Sequence, residues 1–119
     1  MPIVNIQTNL SLDSQQQKQL LTTVVDATSE ALSTDKARID ASLQTLSPEQ
    51  TIVGGVHQRP YVRYTLKLLA GRTPEAKQAL VEKYDQAARD ASADADLDVK
   101  TIIHDLQRAD LALGDKIVG

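Results

Sequence analysis

A repeat constrains this chain more than any other feature. Lys18-Gln19-Leu20-Leu21 returns 59 positions later as Lys77-Gln78-Ala79-Leu80, and Asp26 and Ser33 return at the same spacing as Asp85 and Ser92. Pro2 is matched by Pro60, and Ile39 and Leu43 by Val99 and Ile103. Self-similarity at a fixed period means one structural unit used twice. The 119 residues are therefore read as a single domain, 1–119, made of pseudo-repeats 2–58 and 60–119.

Each half reads strand, helix, strand. The alternating run Pro2 to Thr8 is a strand, and Ser11 or Asp13 can cap the helix that follows. That helix, Ser14 to Leu32, carries Leu20, Leu21, Val24, Val25, Thr28, Ala31 and Leu32 at helical spacing. A second strand spans Ile39 to Leu46, and a Gly54-Gly55 pair after Thr51-Ile52-Val53 marks a bend. The second half opens with a strand from Tyr61 to Leu69, on which Tyr61 and Tyr64 fall on opposite faces. Thr73, Pro74 and Glu75 give a strong start to a helix reaching Ala91. Val99 to His104 is the fourth long strand. The tail is read as a helical turn at Ala109–Leu113 and a short strand at Lys116–Val118.

A helix between two strands returns the chain in the same direction, so the strands of each unit should lie parallel. The fold class expected is α/β (α+β), a four-stranded sheet from two β-α-β units with both helices on one face. The other face has no cover within the chain. Apolar alternation on both sides of the sheet would then require a partner, most simply another copy. A ferredoxin-like sensor shares the order of elements and is the competing fold.

Composition narrows the function. There is no Phe or Trp, so the core is expected to be aliphatic, and no Cys, so thiol and disulfide chemistry are excluded. Thirteen basic and sixteen acidic side chains leave a net charge of −3 without a basic block, which argues against nucleic acid as a partner. No apolar run reaches the length of a membrane span, and no signal peptide precedes Pro2, so a cytoplasmic protein is expected. His57 reads as a solvated loop residue and His104 as structural. Two histidines so far apart give no metal signature, and Asp94 to Asp98 lacks the glycine and distal glutamate of a calcium loop. No cofactor or metal is expected.

Pro2 is the residue with chemistry to offer. If Met1 is trimmed, Pro2 starts the chain as a free secondary amine, whose ordinary pKa is about 7.7–8.0. An apolar pocket or nearby cations would lower it, and such an amine can act as base and then acid at neutral pH. With Met1 retained, the nitrogen is an amide and cannot.

Four stretches in this order resemble the tautomerase superfamily: Pro2 to Asn9, Ile52 to Gln58, Tyr64 to Thr73, and Ile102 to Asp105. The resemblance implies a catalytic proline at Pro2, a homotrimer, and a proton shift on a small 2-keto or enol carboxylic acid. It implies that Arg72 holds the substrate carboxylate, which suits the two-pronged guanidinium. Leu69 stands where dehalogenating members carry a second arginine and would instead keep the amine dry. The histidine and tyrosine of those members fall near Thr28 and Ile102, and an arginine of others falls on Asp40. Lys36 lies two residues beyond the place of a pocket lysine, now Thr34. These differences leave open a binding or assembly module without catalysis, or side activity as a dehalogenase or hydratase.

Overall fold

The computed structural model describes residues 2–119, and the expected trimming of Met1 lies outside the described residues. The long elements are strand β1 (Ile3–Thr8), helix α1 (Ser14–Leu32), strand β2 (Asp40–Thr45), strand β5 (Tyr61–Leu69), helix α2 (Pro74–Ala91) and strand β6 (Asp98–Leu106). Four two-residue strands form two hairpins: β3 (Ile52–Val53) with β4 (Val56–His57), and β7 (Ala112–Leu113) with β8 (Lys116–Ile117).

The long strands form one sheet in the order β2-β1-β5-β6. β1 runs parallel to β2 and β5 parallel to β6, while β1 and β5 join the units antiparallel. The two strands of each unit pair directly. This excludes the ferredoxin-like arrangement, in which each unit is split.

Local chemistry explains the helix starts. Asp13 accepts a hydrogen bond from the Gln16 amide while the Gln16 side chain accepts one from the Asp13 amide, a reciprocal cap. Thr73 caps α2 in front of Pro74. The stripes of both helices then face the sheet. Leu20, Val24, Leu80 and Tyr84 meet Val4, Ile6, Leu66 and Leu68 in one core. Each fully buried aliphatic side chain there stabilises the fold by about 1.5–3 kcal/mol.

The core is not purely aliphatic. Tyr64 and Tyr84 lie at its centre with ring centroids 4.6 Å apart, and each hydroxyl is satisfied. Tyr64 donates to the Tyr84 carbonyl at 2.8 Å, and the Tyr84 hydroxyl pairs with Thr28 Oγ1 at 2.5 Å. Such partners are what allow a tyrosine into a small core.

The uncovered face departs from the apolar surface expected. Three rows cross β2, β1, β5 and β6 on it: Asp40, Ile3, Lys67, His104; Ser42, Asn5, Thr65, Ile102; and Gln44, Gln7, Arg63, Lys100. Only Ile3 and Ile102 are apolar. The exposed apolar side chains concentrate instead on the hairpins, at Ile52, Val56, Leu113 and Ile117.

The Gly54-Gly55 bend is the turn of the first hairpin. Both glycines have positive φ, 58° and 77°, as a tight turn between twisted strands requires. The tail repeats this device. The helical turn expected at Ala109–Leu113 is a 3-10 turn at Arg108–Asp110, followed by the second hairpin, just as a 3-10 turn at Pro48–Gln50 precedes the first. The repeat therefore extends to the ends of both units.

Candidate active site

Pro2 sits at the end of the sheet where β1 and β2 begin and β5 and β6 finish. Its side chain is fully buried. Its carbonyl accepts from the Asp40 amide at 3.1 Å, which ties it to the start of β2. Ile3 pairs with Asp40 on one side and Lys67 on the other. One step back along that register, Pro2 lies between Ile39 and Leu68, which are 8% and 1% exposed. The walls of the site are therefore apolar. Pro60 repeats the pattern in the second unit, where its carbonyl accepts from the Asp98 amide at 2.9 Å.

Arg72 reaches the same end of the molecule from the loop after β5. Its Nη1 donates to the Leu32 carbonyl at 2.5 Å and its Nη2 to Thr34 Oγ1 at 3.2 Å. It thus fastens the last turn of α1 and the segment leading to β2. A cation suits the negative end of a helix dipole. One edge of the guanidinium is committed to this contact, so a carboxylate would have to use the donors that remain.

Leu69 ends β5 and is half-buried. The neighbouring Ala70 amide bonds the Leu106 carbonyl, which closes this end of the sheet. Lys36 lies in the 3-10 turn Lys36–Arg38 that precedes Ile39. Its Nζ pairs with Asp26 at 2.7 Å, both side chains being mostly exposed, and it lines an open hollow with Leu21, Val25, Ile39 and Ala41. Ile39 therefore separates Lys36 from Pro2, and the lysine is drawn toward the outer edge of the sheet by α1.

The opposite end of the sheet is organised by a residue the sequence did not flag. Asn9 is buried, donates to Thr51 Oγ1 and to the Arg59 carbonyl at 2.9 Å each, and accepts from the Tyr61 amide at 3.1 Å. It pins the first hairpin to the join between the two units. An asparagine after a strand reads as an ordinary loop residue, because its partners are 42 to 52 positions away. His57 lies exposed on the first hairpin and His104 exposed on the open face of the sheet.

No protein-family model matches the chain, and no curated protein matches it in sequence. Solved structures do match. Pt0534 inactivated by 2-oxo-3-pentynoate superposes with a TM-score of 0.89 at 21% identity, over 98% of this chain and 95% of that one. A wild-type fused 4-OT symmetric trimer gives 0.88 at 23%, over 98% and 94%. A macrophage migration inhibitory factor from Toxoplasma gondii gives 0.81 at 16%, over 95% and 96%. At these identities the likeness is one of fold, and it spans nearly the whole of each chain.

Proposed function

We propose that this chain, built on the fold of the tautomerase superfamily, is an isomerase that moves a proton between carbon and oxygen of a small 2-keto or enol carboxylic acid. The observation that carries this reading is the placement of Pro2. It immediately precedes a central strand of the sheet, is buried, and is walled by Ile39 and Leu68. Once Met1 is removed, its nitrogen becomes a secondary amine in apolar surroundings, which favour the neutral, basic form.

The step is simple. The neutral amine takes the proton from the enol oxygen, leaving an enolate, and the resulting ammonium returns it to carbon. Arg72 holds the substrate carboxylate with the donors not spent on Leu32 and Thr34. Leu69 excludes water, and Lys36 stands at the outer rim, where substrate would have to compete with Asp26 for it. Hydration or dehalogenation is less well served, since Leu69 occupies the place of a second arginine. The chain acts in the cytoplasm as a homotrimer. The exposed Ile52, Val56, Leu113 and Ile117 support association, and fused 4-OT is itself described as a trimer.

The test is a steady-state assay with phenylenolpyruvate and with 2-hydroxymuconate, on protein shown by mass spectrometry to begin at Pro2. Turnover above background that falls at least tenfold in Pro2→Ala is expected. No turnover on either substrate would overturn the reading. Sedimentation equilibrium checks the assembly, and a stable monomer at micromolar concentration would refute it.

A second reading has its own support. Arg72 is tied to α1 and Lys36 to Asp26, as structural residues would be. Retention of Met1 in the native host would leave no basic amine at Pro2 and would favour a binding or assembly module without catalysis, and intact-mass measurement on that material tests this.

A further inference from the structure

We propose that the groove between the start of α1 and the end of α2 binds a small alkylguanidinium cation, at a site separate from Pro2. A hollow of about 140 Å³ lies there. Its floor is apolar, from Leu12, Leu20, Ala87 and Ala91, and its rim carries Gln19, Thr23 and Asp90. Among the described residues Asp90 is the one charged side chain that lines it. The groove lies on the helix side of the sheet, opposite the uncovered face that would meet other copies, and all its lining residues come from one chain.

The fold holds an internal precedent for such a cation. Arg72 and Leu12 occupy equivalent places in the two units, each immediately before the residue that caps its helix, Thr73 and Asp13. Arg72 crosses to the end of the other unit's helix, where it donates to the Leu32 carbonyl at 2.5 Å and to Thr34 Oγ1 at 3.2 Å. Leu12 meets the end of α2 in the same way, since it lines the hollow together with Ala91, the last residue of that helix. A leucine has no donors to offer there. One helix end thus receives a guanidinium from the chain itself, while the other keeps a hollow. Both ends are the negative poles of their helices.

The rim selects the head of the ligand. Gln19 spends its amide nitrogen on Thr23 Oγ1 at 3.1 Å, which leaves its oxygen free to accept. Asp90 accepts from Gln86 at 2.8 Å through one oxygen and keeps the other. Among the described residues Asp90 is in no ion pair. A guanidinium presents several donors in one plane and can meet both acceptors. An exposed ion pair alone contributes little, so an apolar stem lying on Leu12, Leu20 and Ala87 supplies the rest of the affinity. Size sets the stem's length. A cavity of about 150 Å³ holds a benzene-sized molecule, so this hollow admits the head with a short stem and no peptide backbone. The ligand is therefore a free small molecule.

The probe is n-butylguanidinium, titrated into the whole protein and followed by amide shifts, with n-butylurea as a neutral ligand of the same shape and methylguanidinium as the same head without the stem. Butylguanidinium is expected to bind at least tenfold more tightly than butylurea and at least fivefold more tightly than methylguanidinium. The shifts should centre on residues 12–23 and 87–91. Asp90→Asn should weaken binding fivefold or more; it alters an exposed side chain and leaves the core intact. Leu12→Arg supplies the guanidinium from the chain, as Arg72 does in the other unit, and should abolish binding. Glu82→Gln, an exposed change on α2 outside the hollow, should leave it unchanged. Absence of binding, equal affinity for butylurea, no effect of Asp90→Asn, or equal loss in Glu82→Gln would overturn the proposal. So would tighter binding of an acetylated Gly-Arg-Gly amide, which would point to an arginine of a protein partner instead. Pro2→Ala, which addresses the proposed isomerase, should leave this binding intact.

Discussion

Arg72 and Leu32 are 40 positions apart, yet the arginine's Nη1 lies 2.5 Å from the leucine's carbonyl oxygen and closes the end of α1 onto the loop after β5. The contact joins the two pseudo-repeats at the end of the sheet where β1 begins and β5 finishes. It also sets a limit, because an arginine that anchors a helix end can serve a substrate only with its remaining donors.

Arg72→Ala should lower stability by about 1–2 kcal/mol, from a charge-assisted hydrogen bond that is half-exposed and a favourable helix-dipole interaction. Urea unfolding would measure it. If Arg72 also binds the carboxylate, kcat/KM for a carboxylate substrate should fall together with stability. A loss of stability with unchanged kcat/KM would make Arg72 an anchor only.

Asn9→Ala should cost about 2–4 kcal/mol, because it leaves the buried Tyr61 amide without its acceptor and removes two donated bonds. The first hairpin should loosen before the sheet does. Faster hydrogen exchange at the Gln58 amide, which bonds the Thr51 carbonyl, would report it.

Burial sets an alkaline limit. Desolvation pushes the Tyr84 hydroxyl up to about 12, against the lowering effect of its bond to Thr28, and raises Tyr64 further with help from Tyr84 and Asp85. A raised phenol stays protonated in the fold after the unfolded chain has begun to ionise at the ordinary value near 10. Stability is therefore fully present below about pH 10 and falls as pH rises from there through the folded values. Tyr84→Phe removes one of the two ionisations. Its stability should be lower at neutral pH by about 1 kcal/mol, from the lost hydrogen bond to Thr28, but should decline less steeply above pH 10.

The turn glycines should differ. Gly55→Ala meets nothing within 4 Å, so it bears only the strain of φ 77°, about 1 kcal/mol. Gly54→Ala bears similar strain and also brings its Cβ to 3.3 Å from Arg59 Nη1. That guanidinium faces Asp96 and Asp98 and must shift. Thermal unfolding should rank Gly54→Ala below Gly55→Ala, and equal midpoints would show that Arg59 moves freely.

Much of this was open to a reading of the residues in order. The offset of the two Lys-Gln pairs, the helical stripes from Leu20 and from Leu80, and the Thr73-Pro74 cap are local or periodic signals. Helix and strand geometry translate them directly into elements. Parallel pairing within each unit and two helices on one face follow from the length of the crossover. Pro2 was visible as a candidate because its chemistry depends only on being second in the chain.

Other features depended on side chains that meet only after folding. The open face shows as polar once the register sets Gln44, Gln7, Arg63 and Lys100 in one row, since alternation alone does not reveal which residues become neighbours. Asn9 gains its role from partners in the other half of the chain. Arg72 and Lys36 looked equally available in sequence, but one is drawn to the Leu32 carbonyl and the other to Asp26. The sequence determined the repeat, the elements and the placement of Pro2 at a strand's start, because those rest on backbone periodicity. The tertiary structure decided which charges are spent on the fold, because hydrogen bonds and ion pairs depend on distance in space.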